Sequence, residues 1–181
     1  MNEAHQTTSH VGFWIGVAAM SALVATSNVL VQFPINDWLT WAAFTYPICF
    51  LVTDLTNRAL GPDAARRVVY VGFALGVVLS VSLASWRIGL ASGTAFLVAQ
   101  LLDVKIFDRL RQATWWQAPL VSSTLASALD TALFFSLAFV GTGVPWVTLA
   151  LGDFAVKLAM ALAMLLPFRA LMSATRPRAA A

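Results

Sequence analysis

Cysteine is nearly absent: Cys49 is the only one among 181 residues. A single thiol excludes an intrachain disulfide and argues against a cysteine-held zinc or cluster site. Histidine is almost as scarce, and both copies, His5 and His10, fall in the amino-terminal tail. No metal is therefore expected. Charge is missing as well. Asp, Glu, Lys and Arg make up 10% of the chain, whereas a soluble domain carries about 25%. There is no phosphate-binding glycine loop, no His-rich triad and no Ser/His or Cys/His arrangement. Neither enzyme chemistry nor a cofactor is expected. No linker interrupts the chain, and the only biased tract is the alanine-rich carboxyl end, so residues 1–181 read as one domain.

What remains is apolar. The chain is 60% hydrophobic, with a mean hydropathy of +0.80. The class this composition fits is an all-α, polytopic membrane protein. Its pI near 9.6 comes from Lys and Arg in the loops, so it reports topology rather than nucleic-acid binding.

A spanning helix needs about 20 mainly apolar residues. Six stretches qualify: about 11–33, 38–57, 67–85, 88–107, 119–141 and 145–167. The first is long, and its flank carries Glu3 and no Lys or Arg, so it is not expected to be a cleaved signal. Pro34, Asn36 and Asp37 mark a turn, and Gly61-Pro62 a break. Trp86, Arg87 and Gly89 mark another short turn.

Charge placement supports this count. Six spans put Arg58, Arg66, Arg67, Lys105, Arg109, Arg111, Arg169, Arg176 and Arg178 on one side, and only Arg87 on the other. Both termini are therefore expected to be cytoplasmic, because basic loops stay inside. The tryptophans, Trp14 to Trp146, gather near span ends as interface anchors do.

Four aspartates, Asp54, Asp103, Asp130 and Asp153, lie inside these apolar stretches, half of the eight acidic residues. A carboxylate within the bilayer costs several kcal/mol and is usually retained for function. Asp130 falls near the middle of its span, with Gln100 and Lys157 at similar depth. Asp153 and Asn28 sit in the outer half, and Asp54, Asn57 and Asp103 near the cytoplasmic end. Asp153 and Lys157 are spaced i, i+4, which allows an ion pair. Asp54 could pair with Arg58 in the same way, and Asp103 could neutralise loop arginines. Asp130 has no basic residue one turn away. It must be protonated, meet Lys157 or hold a ligand donor.

Pro47 interrupts the second span and frees the carbonyl of Ala43. The broken stretch Thr45-Tyr46-Pro47 is followed one turn later by Phe50, then by Thr53 and Asp54. Freed backbone, aromatic rings and a carboxylate suit a planar heterocyclic solute. Ser122-Ser123-Thr124 either supplies hydroxyls or permits close packing. Gly72-x-x-x-Gly76 and Gly89-x-x-x-Gly93 are helix-contact patterns that also allow a homodimer. Phe50-Leu51-Val52-Thr53-Asp54 and Phe96-Leu97-Val98-Ala99-Gln100 match, either as a parallel repeat or by chance in an apolar chain.

The segments FTYPICFLVTDLTNRALGPDAARRVV (44–69) and AFLVAQLLDVKIFDRLRQATWWQAPLVSSTLASALDTALFF (95–135) resemble the queuosine precursor transporter family, in the vitamin uptake transporter group. The likeness extends to SNVLVQFPI (27–35) and LGDFAVKLAMALAMLLPF (151–168). Its most specific elements are Thr-Asp-Leu-Thr and Gln-x-x-Asp-Val-x-Ile-Phe. The resemblance implies import of 7-deazaguanines such as preQ0 and preQ1 across a bacterial inner membrane. The loops between spans three and four and between spans five and six are short for that family, so the outer vestibule differs.

The chemistry suits such a ligand. A deazaguanine presents an N1–H and an exocyclic amine side by side, and a carboxylate accepts both. Asp54, Asp103, Asp130 and Asp153 are the candidate acceptors, with Lys157 beside them. Gln100 and Asn28 could read the carbonyl and ring-nitrogen edges. Tyr46, Phe50 and Phe96 could stack on the ring, worth about 1–3 kcal/mol per base. The expected partners are this small molecule, the bilayer and, to thicken a thin six-helix bundle, a second copy of the chain. A different purine or vitamin, or a substrate-capturing subunit of a larger importer, is the alternative.

Overall fold

A computed structural model of the chain describes residues 2–30, 33–36, 39–83 and 86–172. It is all-α apart from one small hairpin. The helices are α1 (Asn2–Leu30), α2 (Ala42–Thr45), α3 (Ile48–Leu60), α4 (Pro62–Leu83), α5 (Trp86–Leu110), α6 (Gln117–Phe139) and α7 (Trp146–Met172). The hairpin pairs β1 (Pro34–Asn36) antiparallel with β2 (Leu39–Thr40), where a turn alone was expected. Asp37, Trp38, Ser85, Arg176 and Arg178 lie outside the described residues, as does the side chain of Asn28.

Among the described residues, four segments are long and apolar enough to cross a bilayer: His10–Ser27 of α1, and α5, α6 and α7. The chain is a multi-pass membrane protein. Its surface is apolar, and its interior holds polar side chains beside an apolar core. Val78, Leu151 and Leu166 point outward, while Thr53, Asp54, Gln100, Asp103 and Asp130 are buried. So much exposed apolar surface would aggregate in water, but it is the ordinary surface against lipid tails.

The expected second span is not one helix. Pro47 lacks the donor that an unbroken ladder needs, and the helix divides there into α2 and the 13 residues of α3. Alone, α3 rises only about 20 Å. It extends past Asn57 to Leu60 and stops where Gly61 adopts a positive φ of 90°. Other boundaries move as well, and α1 begins at Asn2, nine positions before the expected start. α4 begins at Pro62, the first-turn position proline favours. α7 runs through Pro167 to Met172 rather than ending there.

α3 sits at the centre of the bundle, against α1, α4, α5, α6 and α7. Around it, α5 packs on α4 and α6, α6 on α7, and α1 on α4. Met20, Val24, Cys49, Val68, Val69, Phe96 and Val104 form the main apolar core, and Phe107, Ala118 and Phe168 a second one. The glycine patterns serve these internal contacts. A β-carbon on Gly72 would lie 2.7 Å from Met20 Cγ, and one on Gly76 3.3 Å from Val24. One on Gly93 would lie 3.2 Å from Val77. Those three glycines let α1, α4 and α5 approach within one chain, so they give no support to a homodimer.

Candidate functional site

The buried charged residues of the interior form two groups, joined by a crevice. The first group lies between α6 and α7. Lys157 Nζ is 2.7 Å from Asp130 Oδ2 and 2.6 Å from Asp153 Oδ2. Thr131 Oγ1, at 3.2 Å, accepts from the same ammonium. All three ammonium donors therefore have acceptors. Thr131 in turn donates to Asp153 Oδ2 at 2.8 Å. The Asp153–Lys157 spacing produces the expected ion pair. Of the three fates open to Asp130, the structure shows contact with Lys157, 27 positions away. Two carboxylates on one ammonium leave the cluster with an excess of negative charge.

The second group lies where α3, α5 and α6 meet. The Thr53 hydroxyl is 2.7 Å from Gln100 Oε1 and 3.0 Å from the Cys49 carbonyl. The Gln100 amide nitrogen is buried without a partner. Ser122 Oγ donates to Asp54 Oδ1 at 3.4 Å. The Asp54 and Asp103 carboxyl groups adjoin each other. No well-formed hydrogen bond joins them, and both Asp103 oxygens are buried without partners. Neither aspartate has an ion pair among the described residues. The expected Asp54–Arg58 pair is therefore absent, and Asp103 neutralises no loop arginine. Arg111 instead ties Asn57, bonding its carbonyl at 2.7 Å and its Oδ1 at 2.6 Å. Asn57 Nδ2 continues to the Val104 carbonyl at 2.9 Å. This junction closes the end of the bundle and holds α3 to α5.

A crevice between α3, α6 and α7 connects the two groups. Asp54 and Lys157 both line it, with Pro47, Phe50, Ser123, Ser127, Ala161 and Phe168. Ser127 is buried and its hydroxyl has no partner. Ser123, Ser127 and Asp130 recur at helical spacing, so α6 turns one polar stripe inward. The sequence reading noticed Ser122 and Ser123 but missed Ser127, although this spacing could have found it. The free volume is about 10 Å³, room for about one water. The helices are thus closed around the site.

Not every expected site residue joins this crevice. Tyr46 and Phe96 pack edge to face, with ring centres 5.8 Å apart. They line a separate small cavity with Val24, Gly72, Gly76 and Ser92. Tyr46 is nevertheless within electrostatic range of Asp130 and Asp153. Phe50 packs on Ala99 and Ala126 instead, so the three aromatic residues do not form one stacking wall. No group of three or more His, Cys, Asp or Glu side chains converges as a metal site among the described residues.

Residues 40–172 match the family model described as "Putative vitamin uptake transporter". The chain is 32% identical to the "Queuosine precursor transporter" of Escherichia coli, over 92% of this chain and 89% of that one. It is 35% identical to the "Probable queuosine precursor transporter" of Haemophilus influenzae, over 80% of this chain and 79% of that one. The Bacillus subtilis protein of the same description is 25% identical, over 82% and 77% of the two chains. No solved structure matches.

Proposed function

The chain belongs to the vitamin uptake transporter family, and from that premise we propose that it imports queuosine precursors, 7-deazaguanines such as preQ0 and preQ1. On this reading it is a transporter rather than an enzyme. It acts as one domain in the inner membrane of a bacterium. The chain crosses six times, through α1, the broken α2–α3 pair, α4, α5, α6 and α7. Both termini face the cytoplasm, because six crossings gather nine basic residues on that side.

One observation carries the choice of site. Asp54 is a buried carboxylate with no cation beside it, at the edge of a crevice that also holds Phe50 and the unpartnered Ser127 hydroxyl. A buried anion without a partner is costly, and a ligand with two parallel N–H donors relieves that cost. The N1–H and exocyclic amine of a deazaguanine supply that pair. Phe50 covers the ring face, and Ser123 and Ser127 bond its remaining edge. The Asp130–Lys157–Asp153 cluster forms the polar wall opposite, and Gln100 steadies Asp54 through Thr53. Tyr46 and Phe96, on the separate small cavity, extend the path beyond the crevice. With room for about one water, the closed crevice admits the ring only when α7 parts from α3 and α6. The bundle suffices without a second copy, although a homodimer would thicken its walls.

Equilibrium binding to the purified protein tests this site, with preQ1, preQ0, guanine and queuine as competitors. The deazaguanines should displace one another. Asp54→Asn should lose about 1.5–3 kcal/mol, the worth of hydrogen bonds to a charged group. Undiminished binding by Asp54→Asn would remove the crevice from the proposal.

A further inference from the structure

Asp103 has no function in the substrate crevice as drawn. It does not line it, yet it is completely buried, its two oxygens have no partner, and it stands behind Asp54. Two adjoining carboxylates without a cation cannot both stay charged in a closed, lipid-surrounded interior. Resting on the transport reading above, we propose that Asp54 and Asp103 form a proton-binding site that couples import to an inward proton gradient.

The surroundings define which groups act on the pair. α6 presents only hydroxyls, from Ser122 and Ser123. α7 presents Lys157 across the crevice, but its donors are taken by Asp130, Asp153 and Thr131. His10 on α1 and Asp63, Arg66 and Arg67 on α4 are exposed. On α5, Lys105 lies two positions beyond Asp103 and Arg109 six, and both are exposed; on α3, Arg58 lies one helical turn beyond Asp54, and Arg111 acts electrostatically on Arg58. Arg58 Nε is also buried without a hydrogen-bond partner.

The cycle follows from these contacts. In the loaded, closed protein Asp54 is the anion, facing the two ring donors, and Asp103 carries the proton. Opening toward the cytoplasm hydrates the pair, so substrate and proton both leave to water. The emptied pair then holds two negative charges. Arg58, at i+4, has the spacing to meet Asp54 and let the crevice close again for the return. One proton crosses with each substrate.

The test uses the full chain in liposomes, labelled preQ0 as a neutral probe, and the membrane potential clamped at zero. An inward gradient of one pH unit should drive about tenfold accumulation, one proton's worth. Arg58→Gln should abolish accumulation while preloaded vesicles still exchange preQ0. Asp103→Asn should equilibrate preQ0 without concentrating it at any imposed pH gradient. Exchange by the wild-type protein without pH-driven accumulation would overturn the coupling and leave the transport reading intact. Accumulation driven only by sodium would overturn it as well, as would tenfold accumulation by Asp103→Asn. No exchange at all by the wild-type protein would sink the transport reading itself. Because the wild-type measurement needs no variant to fold, the proposal stays open to refutation if Asp103→Asn fails to insert.

Discussion

Replacing Lys157 with methionine should be the most destabilising single change within the α6–α7 ion cluster. Lys157 holds Asp130 at 2.7 Å and Asp153 at 2.6 Å, and Asp130 has no other cation among the described residues. Methionine keeps most of the volume but strands the buried Asp130 carboxylate beside the partly buried Asp153. Removing one partner from a buried ion pair costs about 3–5 kcal/mol. For a chain of this length each kcal/mol lowers Tm by about 2–4 °C, so the loss should be on the order of 10 °C. Asp130→Asn is a milder change. It leaves the Lys157–Asp153 pair in place and removes the surplus negative charge of the cluster. Its stability cost should be about 1 kcal/mol, the worth of one ordinary hydrogen bond. The double variant, Lys157→Met with Asp130→Asn, should recover part of the lost stability. Thermal unfolding in native lipid, with uptake measured on the same samples, gives the ranking. A Lys157→Met protein that melts with the wild type would refute the reasoning, as would Asp130→Asn melting below it.

Three further outcomes follow from the packing and the crevice. Gly72→Ala should lose about 1–3 kcal/mol by overpacking against Met20; Gly152→Ala, with nothing within 4 Å of its new β-carbon, should be neutral or gain up to about 1 kcal/mol. Equal melting of the two would contradict close α1–α4 contact. Ser127→Ala should weaken deazaguanine binding by about 0.5–1.5 kcal/mol without lowering Tm, because no internal hydrogen bond is lost. Unchanged binding would take Ser127 out of the site. Cysteines placed at Asp63 and Gln112 in a Cys49-free background should resist an impermeant thiol reagent applied outside intact cells. Labelling of either would reverse the topology.

Local spacing carried what the chain could reveal about itself. Asp153 and Lys157 are one helical turn apart, so their pairing was legible as soon as a helix was expected. The Pro47 break was legible too, because proline removes a donor wherever it falls, although its consequence, a 13-residue α3 at the bundle centre, was not. Contacts between distant segments left no such mark. Similar depth alone suggested Lys157 for Asp130, as one of three fates, and nothing near Asp54 points to Ser122, 68 positions away. The Asp54–Arg58 spacing suggested a local pair, and the fold left that pair unmade. Gly72 and Gly76 show why a helix-contact pattern is ambiguous. The same stripe of small residues serves a neighbour in the same chain or in a second copy, and only the position of Met20 and Val24 decides.

The central claim is that this chain alone carries 7-deazaguanines across a membrane. Uptake of labelled preQ0 and preQ1 into liposomes that contain only this protein tests it most directly. Uptake should be saturable, suppressed by unlabelled deazaguanines, and lost by Asp54→Asn in parallel with binding. Binding without uptake would instead mark a substrate-capturing subunit that needs a partner, and neither binding nor uptake would contradict the account outright.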